Sequence, residues 1–388
     1  MKRKDFLKTL HISGLALFLP VLATGKNRPG KAFKSDGFFA IRRMKGRYLL
    51  FSPDNKPFYT IGMNHIDSSA LRHPDNLHIW NEAFDNSQEK WLQSVSHHLT
   101  MWGFNTVGWV QELVNRGYTT DRHSRNFIYE EYQWLDMPYC QMLPFAHFHH
   151  WDSIHINPDF SGQDFEDWCD YVAREHCTRM ANDPKLIAYF YIDCPTWIHT
   201  RSWSEWKGPI FDPEMLSSEA GREKLFAMAT RYYKVTHDAI RRYDKNHLIF
   251  GDRYEASEPL AKEVLLAARP YVDAFTFQHF APPEDIKRNL ESWHEMTGMP
   301  VMVADSSPIR RLPDGSLMHN PTGYRKVYEI LRNIPSCIGF HLCGGYIQNR
   351  VRRKGLFDPE NQPFHDVVEG LARVNHETIT WLESLKIE

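Results

Sequence analysis

Short apolar runs recur along the chain, separated by stretches with helical character. After a polar segment rich in Lys and Gly (25–37), Arg47–Phe51 reads as a strand, Ser52-Pro53-Asp54-Asn55-Lys56 as a turn, and Pro57–Met63 as a second strand. Strand candidates then fall at Phe58–Gly62, Thr106–Trp109, Tyr139–Leu143, Ile187–Ile192, His247–Gly251, Ala274–Phe277, Val301–Ala304 and Cys337–His341. Helical candidates lie between them at Glu89–Met101, Gln163–Asn182, Ser218–Tyr243, Pro259–Ala268, Pro283–Thr297 and Gly323–Ile334. Near-continuous apolar strands are buried on both faces, and helices long enough for crossovers make neighbouring strands parallel. Eight such units predict an α/β fold, a (β/α)8 TIM barrel preceded by a short N-terminal strand pair. A doubly wound sheet is the alternative, but no Gly-x-Gly-x-x-Gly follows any strand.

The start of the chain has a different pattern. A basic Met1-Lys2-Arg3-Lys4 opening, an apolar stretch from Leu15 to Leu22 and Ala23-Thr24-Gly25 read as an export signal, too short in its apolar part to span a membrane. The Lys-Arg-Lys-Asp-Phe-Leu-Lys string is similar to a twin-arginine signal with one arginine replaced, and a plain secretory signal is the alternative. The expected division is therefore 1–25 export signal, 26–46 linker and N-terminal segment, and 47–388 barrel, with a periplasmic or extracellular destination.

Composition narrows the function. With 388 residues, 42% hydrophobic and 24% charged, the chain is an ordinary globular protein; a net charge of −2 gives no footprint for nucleic acid. Six cysteines without a CxxC pair signal neither a zinc knuckle nor a disulfide framework, so buried free thiols are expected. The oligomeric state is not legible.

A barrel of this kind carries its active site at the C-terminal ends of the strands, and the residues there are polar. They include His65 and Asp67, Trp109 with Gln111 and Glu112, His147, His149 and His150, Asp193 and Trp197, Asp252, Arg253 and Glu255, His279, Asp305, and His341. Three acids, Asp193, Asp252 and Asp305, end apolar strands, where desolvation costs several kcal/mol without a partner or a task. A pair of opposed carboxylates is the minimum equipment for cleaving a glycosidic bond: one protonates the leaving oxygen, the other attacks the sugar carbon or activates water. Asp193 and Asp305, after the fourth and seventh strands, are the expected pair, with Asp252 raising its neighbour's proton affinity and Glu255 a reserve acid. His65, His147, His149, His279, His341, Trp109, Trp197, Arg253 and Glu255 are the expected substrate contacts. Core packing is expected for Trp168 and Trp293, and a solvated loop for Arg350, Arg352, Arg353 and Lys354.

The chain also resembles agarase-type glycoside hydrolases of clan A. The likeness is carried by Tyr48–Asn64, Met101–Gly108, Tyr189–Asp193 with Trp197, Pro300–Asp305, and Ile338–His341 leading to Gly355–Asp358. It implies the same barrel and a glycosidase activity. The Asn-Glu pair that carries the clan's acid/base is here Cys194-Pro195, the nucleophilic Glu is matched by Asp305, and the expected Asn-x-Tyr reads Gln278-His279-Phe280. Two shorter aspartates would stand farther apart than a retaining pair, which makes an inverting mechanism plausible and leaves retaining and inverting both open. The competing readings are a glycan-binding barrel without catalysis and a metal-dependent hydrolase built on His147, His149 and His150 with His65 or His279. The favoured reading needs no metal or other cofactor and takes a carbohydrate as its partner.

Overall fold

The computed structural model describes residues 36–114, 124–146, 159–195, 197, 216–256, 260–313 and 315–386. Strands β1 (Ala40–Met44), β2 (Arg47–Phe51) and β3 (Pro57–Phe58) form an antiparallel sheet in that order. The expected pair is therefore a triplet. Met44 pairs with Arg47 across a two-residue turn in which Lys45 and Gly46 both have positive φ, 49° and 80°, as a type I′ hairpin requires. Lys-Gly is a weak turn signal in sequence, which left β1 inside the segment read as a linker.

Eight parallel strands follow: β4 (Thr60–Met63), β5 (Thr106–Val107), β6 (Tyr139–Met142), β7 (Leu186–Asp193), β8 (Leu248–Glu255), β9 (Phe275–Gln278) and β10 (Val301–Ser306), then, after the hairpin β11 (Ile309–Arg311) and β12 (Leu317–His319), β13 (Cys337–Leu342). They close into a barrel in the order β10-β13-β4-β5-β6-β7-β8-β9. The fold is a (β/α)8 TIM barrel. Two short strands, β14 (Gly345–Ile347) and β15 (Gly355–Phe357), pair beyond β13.

The helices are α1 (Leu77–Phe84), α2 (Gln88–Met101), α3 (Tyr129–Leu135), α4 (Gln163–Met180), α5 (Glu219–Tyr243), α6 (Lys262–Ala268), α7 (Pro283–Thr297), α8 (Pro321–Arg332) and α9 (His365–Ser384). Their starts are written locally: Ser87 accepts from the Lys90 N–H ahead of α2, and Asn320 from the Gly323 N–H ahead of α8, with Pro321 in the first turn.

Strand residues divide between two cores. Cys140, Met142, Phe190, Phe250, Met302 and Ile338 pack inside the barrel with Phe39 and Leu50 of the N-terminal segment, while Tyr189, Tyr191, Ile249, Phe275, Phe277 and Val303 pack outward among the helices. The β2 amide of Tyr48 bonds the Pro335 carbonyl just before β13, so this small sheet sits at the end of the barrel where the strands begin.

Candidate active site

Alternation along β8 starting from the inward Phe250 would send Asp252 inward and Arg253 outward. The reverse is found. Gly251 adopts φ +67° at a break in register between β7 and β8, and this bulge resets the faces so that Arg253 points into the barrel. A second break between Phe190 and Asp193 turns Asp193 to the same interior, and a third accompanies Asp305 on β10. Bulges at three strand ends thus aim the polar groups of the mouth.

Arg253 is fully buried, with its guanidinium 4.6 Å from the centre of the Trp109 ring. One of its terminal nitrogens lies 3.2 Å from Asp193 Oδ1 and 3.3 Å from Asp305 Oδ2. These two oxygens are therefore at most about 6.5 Å apart, the sum of the two contacts. The guanidinium nitrogens and Trp109 Nε1 are buried and make no hydrogen bond in the protein, which leaves donors for a ligand.

Asp305 is held from several sides. Asn64 Nδ2 donates to its Oδ1 at 2.6 Å and to the Ala304 carbonyl at 2.8 Å, while Asn64 Oδ1 accepts from the Trp109 N–H at 2.8 Å. Burial alone would raise the Asp305 pKa; Arg253, His65 and Asn64 overcome it and keep the carboxyl ionised well below the usual range. Glycine at 108 makes this possible, since a Cβ there would stand 2.1 Å from Asn64 Oδ1. His65, in a left-handed conformation at φ 56°, directs Nε2 at Asp305 Oδ2 from 3.8 Å and bonds the Gln111 carbonyl through Nδ1 at 2.5 Å. Burial, then the charge of Arg352, lowers its pKa to about 4, so the ring is neutral.

Asp193 accepts from Gln278 Nε2 in addition to facing Arg253. Cys194 follows it at φ 48°, and its Sγ lies 3.9 Å from Oε2 of the half-buried Glu255, which shares the Arg253 face of β8. Two of the described non-glycine residues with positive φ, His65 and Cys194, thus line this mouth.

Other expected site residues lie elsewhere. Asp252 faces α5 and accepts from Tyr232 at 2.9 Å and Tyr233 at 2.6 Å; burial raises its pKa to about 7 against those donors. It is not beside Asp193 in the mouth. Trp197 packs in the same outer layer, 5.5 Å from the Tyr232 ring. His279 turns to α7, with Nε2 3.0 Å from Asn289. His341 does face the barrel interior but is fully buried, with Nε2 2.8 Å from Thr60 Oγ1. His147, His149 and His150 lie outside the described residues.

His279 faces outward because it follows the inward Gln278 in plain alternation, whereas Asp252 does so through the bulge at Gly251; adjacency to an apolar run does not say which face is taken. Trp293 stacks on Phe277 at 3.7 Å as expected, but Trp168 is 44% exposed on α4, not core. Arg352 is not solvated; its side chain, 12% exposed, lies against Glu112, whose own pKa burial raises to about 7. All six cysteines are buried and free. Asn64, Gln278 and Cys343 were absent from the expected contacts, although each directly ends or follows a barrel strand. Among the described residues, the ligand atoms of His65, Asp305 and Cys343 lie within 4.8 Å of one another, and no helix is long and apolar enough to cross a membrane.

No family model and no curated protein matches the sequence. Among solved structures, the chain is similar to an agarase, AgWH50C, with TM-score 0.67 and 13% identity over 91% of this chain and 65% of that one. It is similar also to an exo-beta-agarase, with TM-score 0.69 and 14% identity over 90% of this chain and 66% of that one. A GH2 beta-galacturonidase from Eisenbergiella tayi, bound to galacturonate, gives 0.54 and 12% over 87% and 54%. The chain spans just under two thirds of the length of either agarase. The agarase-type resemblance read from the sequence thus extends to the three-dimensional fold, a (β/α)8 barrel of the kind seen in these glycoside hydrolases.

Proposed function

We propose that the protein is an exported glycoside hydrolase that cleaves a poly- or oligosaccharide, with Asp305 as nucleophile and Asp193 as the acid that protonates the leaving oxygen. The observation that carries this reading is the single Arg253 nitrogen in contact with both carboxylates, which puts them within reach of one glycosidic bond. Asp305, ionised, attacks the anomeric carbon as the bond to the leaving oxygen breaks and Asp193 gives that oxygen its proton. Water then releases the sugar from the Asp305 ester and returns a proton to Asp193. The upper bound of about 6.5 Å falls where a gap for an attacking water only begins. A gap no wider than this favours retention over the inversion that two short aspartates would allow. Trp109 Nε1 and the Arg253 nitrogens other than the one facing Asp193 and Asp305 are the donors for sugar hydroxyls.

The test uses agarose and a panel of neutral and uronate-containing oligosaccharides, followed by NMR of the first product. Asp193→Asn and Asp305→Asn each lower turnover at least a hundredfold, and the product keeps its anomeric configuration. Full turnover in both variants rejects the pair. A second reading, a glycan-binding barrel without catalysis, is favoured by one feature: Asp193 faces two donors, Arg253 and Gln278, which suit a carboxylate more than an acid. Binding of a panel glycan with no cleavage selects it. Export rests on the first 25 residues and is tested by cell fractionation, where an uncleaved cytosolic chain rejects it.

A further inference from the structure

We propose that His65, Asp305 and Cys343 form a binding site for a thiophilic divalent cation of the zinc class, and that its occupation shuts the barrel mouth by taking Asp305. The first half stands on geometry alone; the second rests on the reading of Asp305 as nucleophile.

The three donors come from the ends of β4, β10 and β13, which are consecutive in the barrel sheet. Their backbones are tied together at the same level. The Asn64 N–H bonds the Leu342 carbonyl at 3.0 Å, the Cys343 N–H the Ser306 carbonyl at 2.8 Å, and the Tyr346 N–H the His65 carbonyl at 3.1 Å. The nitrogen, oxygen and sulfur atoms lie within 4.8 Å of one another and all three residues are buried. A tetrahedral zinc with metal–ligand lengths of about 2.0 to 2.3 Å holds its donors about 3.3 to 3.6 Å apart. Rotamer-scale movement closes the set.

Each donor already has the outer partner that a ligand needs. The Gln111 carbonyl can only accept, so the 2.5 Å contact places the proton of the neutral ring on His65 Nδ1 and leaves the Nε2 lone pair aimed at Asp305. Asn64 fixes Asp305 through Oδ1, and Oδ2, which carries two lone pairs, can serve both Arg253 and a metal. Arg352 Nη1 donates to Cys343 Sγ at 3.6 Å.

The two guanidiniums nearest the set are engaged with acids outside it, Arg253 with Asp193 at 3.2 Å and Arg352 with Glu112. Binding releases the thiol proton to solvent, and the resulting thiolate with the carboxylate offsets the two positive charges of the ion. Calcium and magnesium prefer all-oxygen shells of six or more ligands, so a mixed nitrogen, oxygen and sulfur set discriminates against them.

Cobalt(II) titration of the full chain provides the test, because a thiolate ligand gives an intense near-ultraviolet charge-transfer band. One equivalent is expected to produce that band, and zinc to displace it. Cys343→Ser should abolish the band, and His65→Gln should weaken cobalt binding at least tenfold, with circular dichroism reporting that each variant is folded. Absence of the band in the unaltered chain, or its persistence in Cys343→Ser, overturns the site. Regulation is read separately, as the ratio of hydrolysis with zinc to hydrolysis with a chelator. A low ratio in the unaltered chain that rises toward one in Cys343→Ser supports it, and a ratio of one in the unaltered chain overturns it. If no glycan is hydrolysed, the cobalt titration still decides the site.

Discussion

At the scale of single residues, the mouth depends on Asn64 more than its position in the sequence suggests. It is fully buried and saturated: its amide bonds Asp305 and the Ala304 carbonyl, and its carbonyl oxygen takes the Trp109 N–H. Asn64→Ala leaves the Trp109 N–H and one Asp305 oxygen short of a partner, costing about 1–3 kcal/mol in unfolding free energy. Denaturant unfolding measures that loss, and turnover falls with it because Asp305 is no longer oriented. A variant as stable as the original chain contradicts this account. Asparagine directly after the first barrel strand was visible in the sequence. What hid its importance was that its partners come from residues 45, 240 and 241 positions away, which no local pattern records.

At the scale of elements, strand position was legible and strand face was not. All eight barrel strands coincide with apolar runs, because a strand covered on both sides must be apolar along its length. The same apolarity erases the alternation that would show which residues point inward. Gly251 is the clearest instance. Its φ of +67° is open to glycine and strained for other residues, and a Cβ there would meet Val272 Cγ1 at 2.8 Å. Gly251→Ala is expected to cost about 1–3 kcal/mol and to disturb the inward setting of Arg253. Thermal unfolding and turnover, measured together, check it: stability and activity should fall together, and an unchanged melting temperature rejects the bulge as the device that aims Arg253.

At the scale of the whole molecule, buried titratable groups set how stability depends on pH. Burial lowers the pKa values of His65 and His279 to about 4 and of His319 and His341 to about 3. Between these values and the ordinary 6.5, the unfolded chain binds protons that the folded one does not, so each histidine adds stability as pH rises. Asp252 and Glu112, raised to about 7, do the opposite between their ordinary values near 4 and pH 7, where the folded state holds the extra proton. Four groups outweigh two, and stability is expected to rise from pH 4.5 to 6.5 and to level or fall slightly toward 7. Asp252→Asn removes one opposing group and steepens the rise. Denaturant midpoints across this range measure both, and a decline from 4.5 to 6.5 in the unaltered chain contradicts the balance.

The order of apolar and polar segments, on its own, determined the barrel, the positions of its strands and the polar character of one rim, because those follow from periodicity and from what water excludes. Which rim residues meet was decided only by tertiary structure. Asp193 and Asp305 are brought together and Asp252 is sent to the helices by bulges of a single residue, and Arg253 becomes the hub by the same shift. A one-residue change of register reverses every side chain beyond it while leaving the pattern of hydrophobicity intact. The exposed Trp168 and the largely covered Arg352 have the same root: each is settled by what neighbouring segments cover, an outcome of packing between distant parts of the chain.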